Sequence, residues 1–229
     1  MKTNSEFRAE ARFLLTGHLN SAALITFVYY LLTWLVSQVP TFIIGQSEPV
    51  SPYPFLSCSS ILAIALLPLC VGYVWVFLNH KRETVLLSNA GITSIFQAYQ
   101  DVWRVLLTML LQEIYVLLWT LLLIVPGIVK SISYSMTAYV LHDYPELSYD
   151  AAITRSSDIM RGHKMQYFLL ILSFIGWWLL GIITLGIGFI WVTPYITAAT
   201  TTFYEEARDE YELSRHEQEE NEPKPDTTF

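Results

Sequence analysis

Charge is what this 229-residue sequence lacks most: 14% of residues are charged, against ~25% in soluble domains. The shortage is uneven. Residues 165–204 contain no Asp, Glu, Lys or Arg, and between Arg104 and Lys130 the only charge is Glu113. Such stretches exclude a fold whose helices are solvated on one side. Positive charge is scarcer still, with a net charge of −7 and ten of the twenty acids placed after Tyr204. A basic surface for nucleic acid is therefore not expected. Cysteine is nearly absent: Cys58 and Cys70 are the two in the chain. On one helix they would stand ~18 Å apart, too far for a disulfide. A cleavable leader is not expected either, because the first apolar run begins after residue 20 and lacks a small-residue cleavage pattern.

Chemistry-bearing patterns are also missing. His80, His142 and His163 show no paired helical spacing of the HExxH kind. Gly176, Gly181, Gly186 and Gly188 lack the strand–loop–helix setting that cradles phosphate, so they read as helix-packing positions. No nucleophile–base arrangement stands out. The sequence therefore predicts no catalytic residue, no metal, no cofactor and no enzyme.

What is present is apolar and aromatic: 53% hydrophobic residues, with seven Trp and fourteen Tyr. Amphipathic rings of this kind settle at membrane–water boundaries. The organising stretch is 105–142, two apolar runs broken at Pro126-Gly127. The first, 105–125, is long enough to cross a bilayer, which takes ~20 apolar residues. A fixed φ followed by a permissive one favours a reversal at Pro126-Gly127. The second run, 128–142, carries Ser131, Ser133, Ser135 and Thr137. Small hydroxyl residues let helices approach closely, so this arm is expected to be buried among protein.

The remaining chain follows the same plan. Residues 3–17 predict an amphipathic helix, with Thr3 and Glu6 at capping-box spacing, Phe7, Ala11, Leu14 and Leu15 on one face, and Gly17 at its end. Spans are predicted over 21–39, ended by Pro40, and over 61–78. Ile92, Ile95, Phe96, Tyr99, Val102 and Trp103 predict a second interfacial helix, 92–104. A third, 148–161, starts at Ser148 and presents Tyr149, Ala152, Ile153, Ser156 and Met160. Two further spans, 165–183 and 187–204, are separated by the turn Thr184–Gly188, and 205–229 is an acidic tail, helical at first and partly disordered at its end.

The expected fold is thus all-α: six transmembrane helices in three hairpins within 1–204, with short cytoplasmic interfacial helices. Placing both termini inside puts twelve of the thirteen basic residues on the inner face and only Lys130 near the outer one, as the positive-inside rule requires. A weak internal echo accompanies this. A short helix precedes each hairpin, and two of the three end in Gly-His, at Gly17-His18 and Gly162-His163.

The segments SEFRAEARFLLTGH, LLLIVPGIVKSISYSMTAYVLHDYPELSYDAAITRSSDIMRGHK and LSFIGWWLLGIITLGIGFIWVTPYITAATTTFYEE resemble the domain of unknown function 975 family over nearly the whole chain. That resemblance implies a multi-spanning helical protein of the bacterial plasma membrane, mostly in Gram-positive bacteria. The family carries no established activity, so it implies no catalytic residue.

Four residues stand out as intramembrane candidates: Glu113, Gln112, Lys130 and His142. Glu113 lies ~12 Å inside its span, and an acid at such depth is a functional candidate by default. The alternative is a neutral Glu113 bonded to Gln112 or to a hydroxyl on a neighbouring helix. Lys130 is expected to snorkel to outer headgroups, and His142 to hydrogen-bond at the inner boundary. The expected partners are the lipid bilayer and other membrane proteins, with oligomerisation left open. The expected function is a non-enzymatic envelope scaffold or accessory factor; the alternative is a small transporter or channel with Glu113 in its pathway.

Overall fold

The computed structural model describes residues 1–44, 62, 64–82 and 89–221, and all the regular structure in them is helical. Helix α1 (Asn4–Leu15) opens on the expected capping box: the Glu6 amide donates to the Thr3 hydroxyl while the Thr3 amide donates to the Glu6 carboxylate. Gly17 follows at φ +81° with open space around it, so its role is to permit the left-handed turn into α2 (Leu19–Ile44). The helix α2 continues through Pro40 rather than ending there. Helix α3 (Leu67–Lys81) returns beside α2.

The second unit begins with α4 (Asn89–Ser94) and a 3₁₀ turn, Ile95–Tyr99. This corrects the continuous helix expected over 92–104. The chain re-forms at Asp101, and Val102–Arg104 already belong to α5 (Val102–Leu122). Burial selects Ile95 and Ala98, while Phe96 and Trp103 stay exposed. Of the expected face, Ile95 is buried and Ile92 packs half-buried against the core, whereas Phe96, Tyr99 and Trp103 point outward.

Helix α5 ends at Leu123, and α6 (Ile124–Tyr134) starts immediately after it. The reversal thus falls three residues before Pro126, at the extended backbone of Leu123 (φ −158°, ψ 135°). Pro126 sits in the first turn of α6, where a missing N–H leaves nothing unsatisfied. Gly127 serves the packing: a Cβ there would lie 2.3 Å from Thr120 Oγ1 and 2.7 Å from Thr120 Cα. Helix α7 (Thr137–Asp143) continues the return after a break at Ser135-Met136.

The third unit contains α8 (Tyr149–Ile159), α9 (Lys164–Leu172), α10 (Ile175–Ile183) and α11 (Phe189–Asn221). Of the expected α8 face, Ala152, Ile153, Ser156 and Met160 are buried and Tyr149 is exposed. Gly162 repeats the Gly17 device at φ +89°, and the turn before α11 has Leu185 and Gly186 at positive φ. The acidic segment is helical as far as Asn221.

Four helical stretches among the described residues are long and apolar enough to cross a membrane: Leu19–Gln38, Val102–Leu122, Ile124–Asp143 and Lys164–Ile183. The expected buried arm is indeed the most covered of the four, Ile124–Asp143 having the largest buried share and Val102–Leu122 the smallest. The far ends of the bundle are bare and apolar: Leu121, Leu122, Ile183, Leu185 and Ile187 are all exposed.

The core gathers around α3, whose Tyr73, Trp75, Val76, Phe77 and Leu78 are buried with Met136, Tyr139, Phe203 and Tyr204. The three short elements pack in a cycle: α1 on α11, the 3₁₀ turn on α3, and α8 on α6 and α7. Each covers the returning helix of the preceding unit. Small residues mark the close approaches. A Cβ on Gly72 would lie 1.8 Å from the Ile95 carbonyl oxygen, and the Ser156 hydroxyl donates to the Ser133 carbonyl at 3.0 Å.

Candidate functional site

The last turns of α3 and α7 and the middle of α11 converge on one carboxylate. Arg82, just past α3, donates from Nη1 and Nη2 to Asp143 Oδ1 and Oδ2 at 2.7 and 2.8 Å. Arg208 Nη1 and the Tyr204 hydroxyl, one turn apart on α11, donate to Oδ2 at 2.9 and 2.8 Å. His142 Nδ1 completes the set at 3.0 Å from Oδ1. The Asp143 side chain is only 7% exposed, so it needs these partners to remain ionised.

Ion pairs extend from this junction in two directions. Arg82 Nε reaches Glu205 at 2.9 Å, Glu205 meets Lys81 at 3.2 Å, and Lys81 meets Glu10 of α1 at 2.8 Å. Lys2 then pairs with Glu10 at 2.9 Å and with Glu206 at 3.3 Å. On the other side, Arg155 of α8 lies 4.8 Å from the Tyr144 ring and 5.3 Å from Tyr211, and pairs with Glu212 at 3.3 Å. The Tyr144 hydroxyl also donates to Glu212. Arg104 closes the end of α7, donating to the Leu141 carbonyl at 2.7 Å, as a cation at a helix C-terminus should.

These contacts move proton affinities in predictable directions. Burial by itself would raise the Glu10 carboxyl, but hydrogen bonds from Lys81 and Lys2 override it and hold it below the ordinary carboxylate range. Burial would likewise lower Arg82, and its bonds to Asp143 and Glu205 outweigh that and raise it. Burial and the Glu212 bond both push Tyr144 up. Chemically the junction is a clamp. Both Asp143 oxygens are occupied by donors, and among the described residues no group of three or more His, Cys, Asp or Glu is placed to hold a metal.

Of the residues singled out from sequence, His142 alone belongs to this junction. His80 hydrogen-bonds the Leu14 carbonyl at 3.2 Å, which ties α3 to the last turn of α1. Lys130 lies over the rings of Trp119 and Tyr134, at 5.0 and 5.7 Å. Glu113 is exposed on α5 and makes no hydrogen bond or ion pair within the described residues. The bonds expected to Gln112 or to a hydroxyl are not formed among the described residues. Gln112 is half-buried, and its Oε1 is buried without a partner in the described residues.

Asp143, Arg82, Tyr204 and Arg208 were not among the residues that the sequence singles out. A signal was available. Gly72, Ser133 and Ala198, all buried, each precede Arg82, Asp143 and Arg208 by ten residues. The same spacing recurs in all three returning arms.

The fold and junction define a helical bundle with membrane-compatible helices, locked at one end by ion pairs. The chain belongs to the family described as Protein of unknown function (DUF975), whose model matches residues 1–133 and 121–210. No curated protein and no solved structure matches it.

Proposed function

We propose that the chain is a non-enzymatic scaffold or accessory factor of the bacterial plasma membrane. It spans the bilayer six times in three hairpins, with the Asp143 junction and both termini on the cytoplasmic side. The carrying observation is the clamp itself: it fastens the ends of α3 and α7 to the middle of α11, beside a centre filled by Tyr73, Phe77, Met136, Tyr139 and Phe203. A filled, pinned centre suits a rigid platform better than a pathway that must open. Cysteine labelling tests the topology. An impermeant reagent outside the cell should reach Leu185→Cys and not Ser157→Cys.

The second reading, a small transporter or channel, rests on Glu113. An intramembrane acid is costly unless it finds a partner, and Glu113 faces away from the bundle core. On the scaffold reading, this position offers α5 to another membrane protein that satisfies the carboxyl. Glu113→Gln keeps shape and hydrogen bonding but removes the titratable charge. It should insert normally and co-purify with the same partners as wild type, whereas Glu113→Leu should lose them. A Gln variant that inserts normally yet behaves as a deletion in growth or ion flux would favour the transporter.

A further inference from the structure

Beyond the scaffold reading, and resting only on its placement in a bilayer, we propose that the chain carries a binding site for one anionic phospholipid. The site is a groove of about 380 Å³ between the α1–α2 corner and the third hairpin. Leu15 and Leu19 line one side, and Trp177, Trp191 and Val192 the other. Arg12 is the one charged side chain in the lining.

The charge pattern selects the ligand. Lys2, Lys81, Arg82, Arg155, Arg161, Arg208 and Arg215 all face a carboxylate within 4.0 Å; Arg104 bonds the Leu141 carbonyl and Lys130 lies over Trp119, which leaves Lys164, away from this groove's lining, as the other cation without a carboxylate among the described residues. Arg8 and Arg12, one turn apart on the same face of α1, have no carboxylate partner among the described residues. Glu10 does not serve them, because Lys2 and Lys81 engage both of its oxygens. Tyr195 holds this face in place by donating its hydroxyl to the Arg8 carbonyl at 3.3 Å. Two unpaired guanidiniums beside an apolar groove match an acyl chain joined to a phosphate. The phosphate accepts paired N–H bonds, and the chain covers otherwise bare Trp and Leu surface. Trp177 and Trp191, each about half exposed, offer bare ring surface along the groove for the acyl chain. Gly17 lines the groove as well, so the left-handed corner that separates α1 from α2 also shapes the site.

Native mass spectrometry of the full chain in detergent, with equal phosphatidylglycerol and phosphatidylcholine, tests this. Wild type should retain one phosphatidylglycerol with roughly tenfold preference, the size expected of one charge-assisted contact. The Arg8→Gln/Arg12→Gln variant should fall to parity with an unchanged melting temperature, since neither side chain has a carboxylate partner to lose among the described residues. Val192→Trp should lose the bound lipid while both arginines remain, and Arg161→Gln, removing a distant exposed cation, should behave as wild type. Parity in wild type, or a preference surviving in the double variant, would overturn the site. So would complete displacement of lipid by soluble glycerol phosphate, which identifies a free-phosphate site, or a lipid-free dimer that masks the groove.

Discussion

Arg82 and Asp143 are 61 residues apart in the chain and meet through two parallel hydrogen bonds of 2.7 and 2.8 Å. The pair joins the ends of two returning helices, and Arg208 brings in the third. Removing one partner of a buried pair costs about 3–5 kcal/mol. The two arginines are each about a quarter exposed, so water offsets part of that loss.

Asp143→Asn keeps the size of the side chain and removes its charge. It should lower unfolding stability in detergent by about 2–3 kcal/mol. Combining it with Arg82→Gln should cost much less than the sum of the two single changes, because both act on one contact. Additive losses would show that the clamp is not a unit.

Gly72 lies where α3 and the 3₁₀ turn touch, and the obstacle to a Cβ is backbone, the Ile95 carbonyl. Gly72→Ala should therefore lower the melting temperature sharply or abolish folded protein. Gly176, in α10 with open space around it, is the control. There Ala should be neutral or stabilise by up to about 1 kcal/mol, from helix propensity.

Glu10 links stability to pH. Its folded value lies below the ordinary 4.5, so its contribution is present above that pH and is lost as pH falls through the lower folded value. Between pH 5 and pH 3 the wild-type melting temperature should fall further than that of Glu10→Gln. Parallel profiles would mean that Lys81 and Lys2 do not favour the ionised form.

Truncation tests the part of the acidic segment that carries the ion pairs. Deleting 222–229 should leave insertion and melting unchanged. Deleting 208–229 removes Arg208 from Asp143 and Glu212 from Arg155 and Tyr144. Membrane levels of that shorter chain should drop several-fold.

Helical class, membrane-compatible apolar runs, the Thr3–Glu6 cap, the buried face of α8 and the turn at Thr184–Gly188 were all legible in the sequence. Each depends on residues within a few positions of one another: hydropathy, the 3.6-residue period, or a left-handed glycine. Tertiary structure alone decided the rest. Ten acids after Tyr204 read as a solvated tail, yet Glu205, Glu206 and Glu212 are paired with cations from the first half of the chain or from α8. The reversal was assigned to Pro126-Gly127, but tight packing of Gly127 on Thr120 set it at Leu123. Glu113 stood out by its depth in an apolar run, and the rotation of α5 about its own axis turned it outward. Asp143 was inconspicuous because its partners come from positions 82, 204 and 208, and only the packing of three returning helices brings those charges to one place.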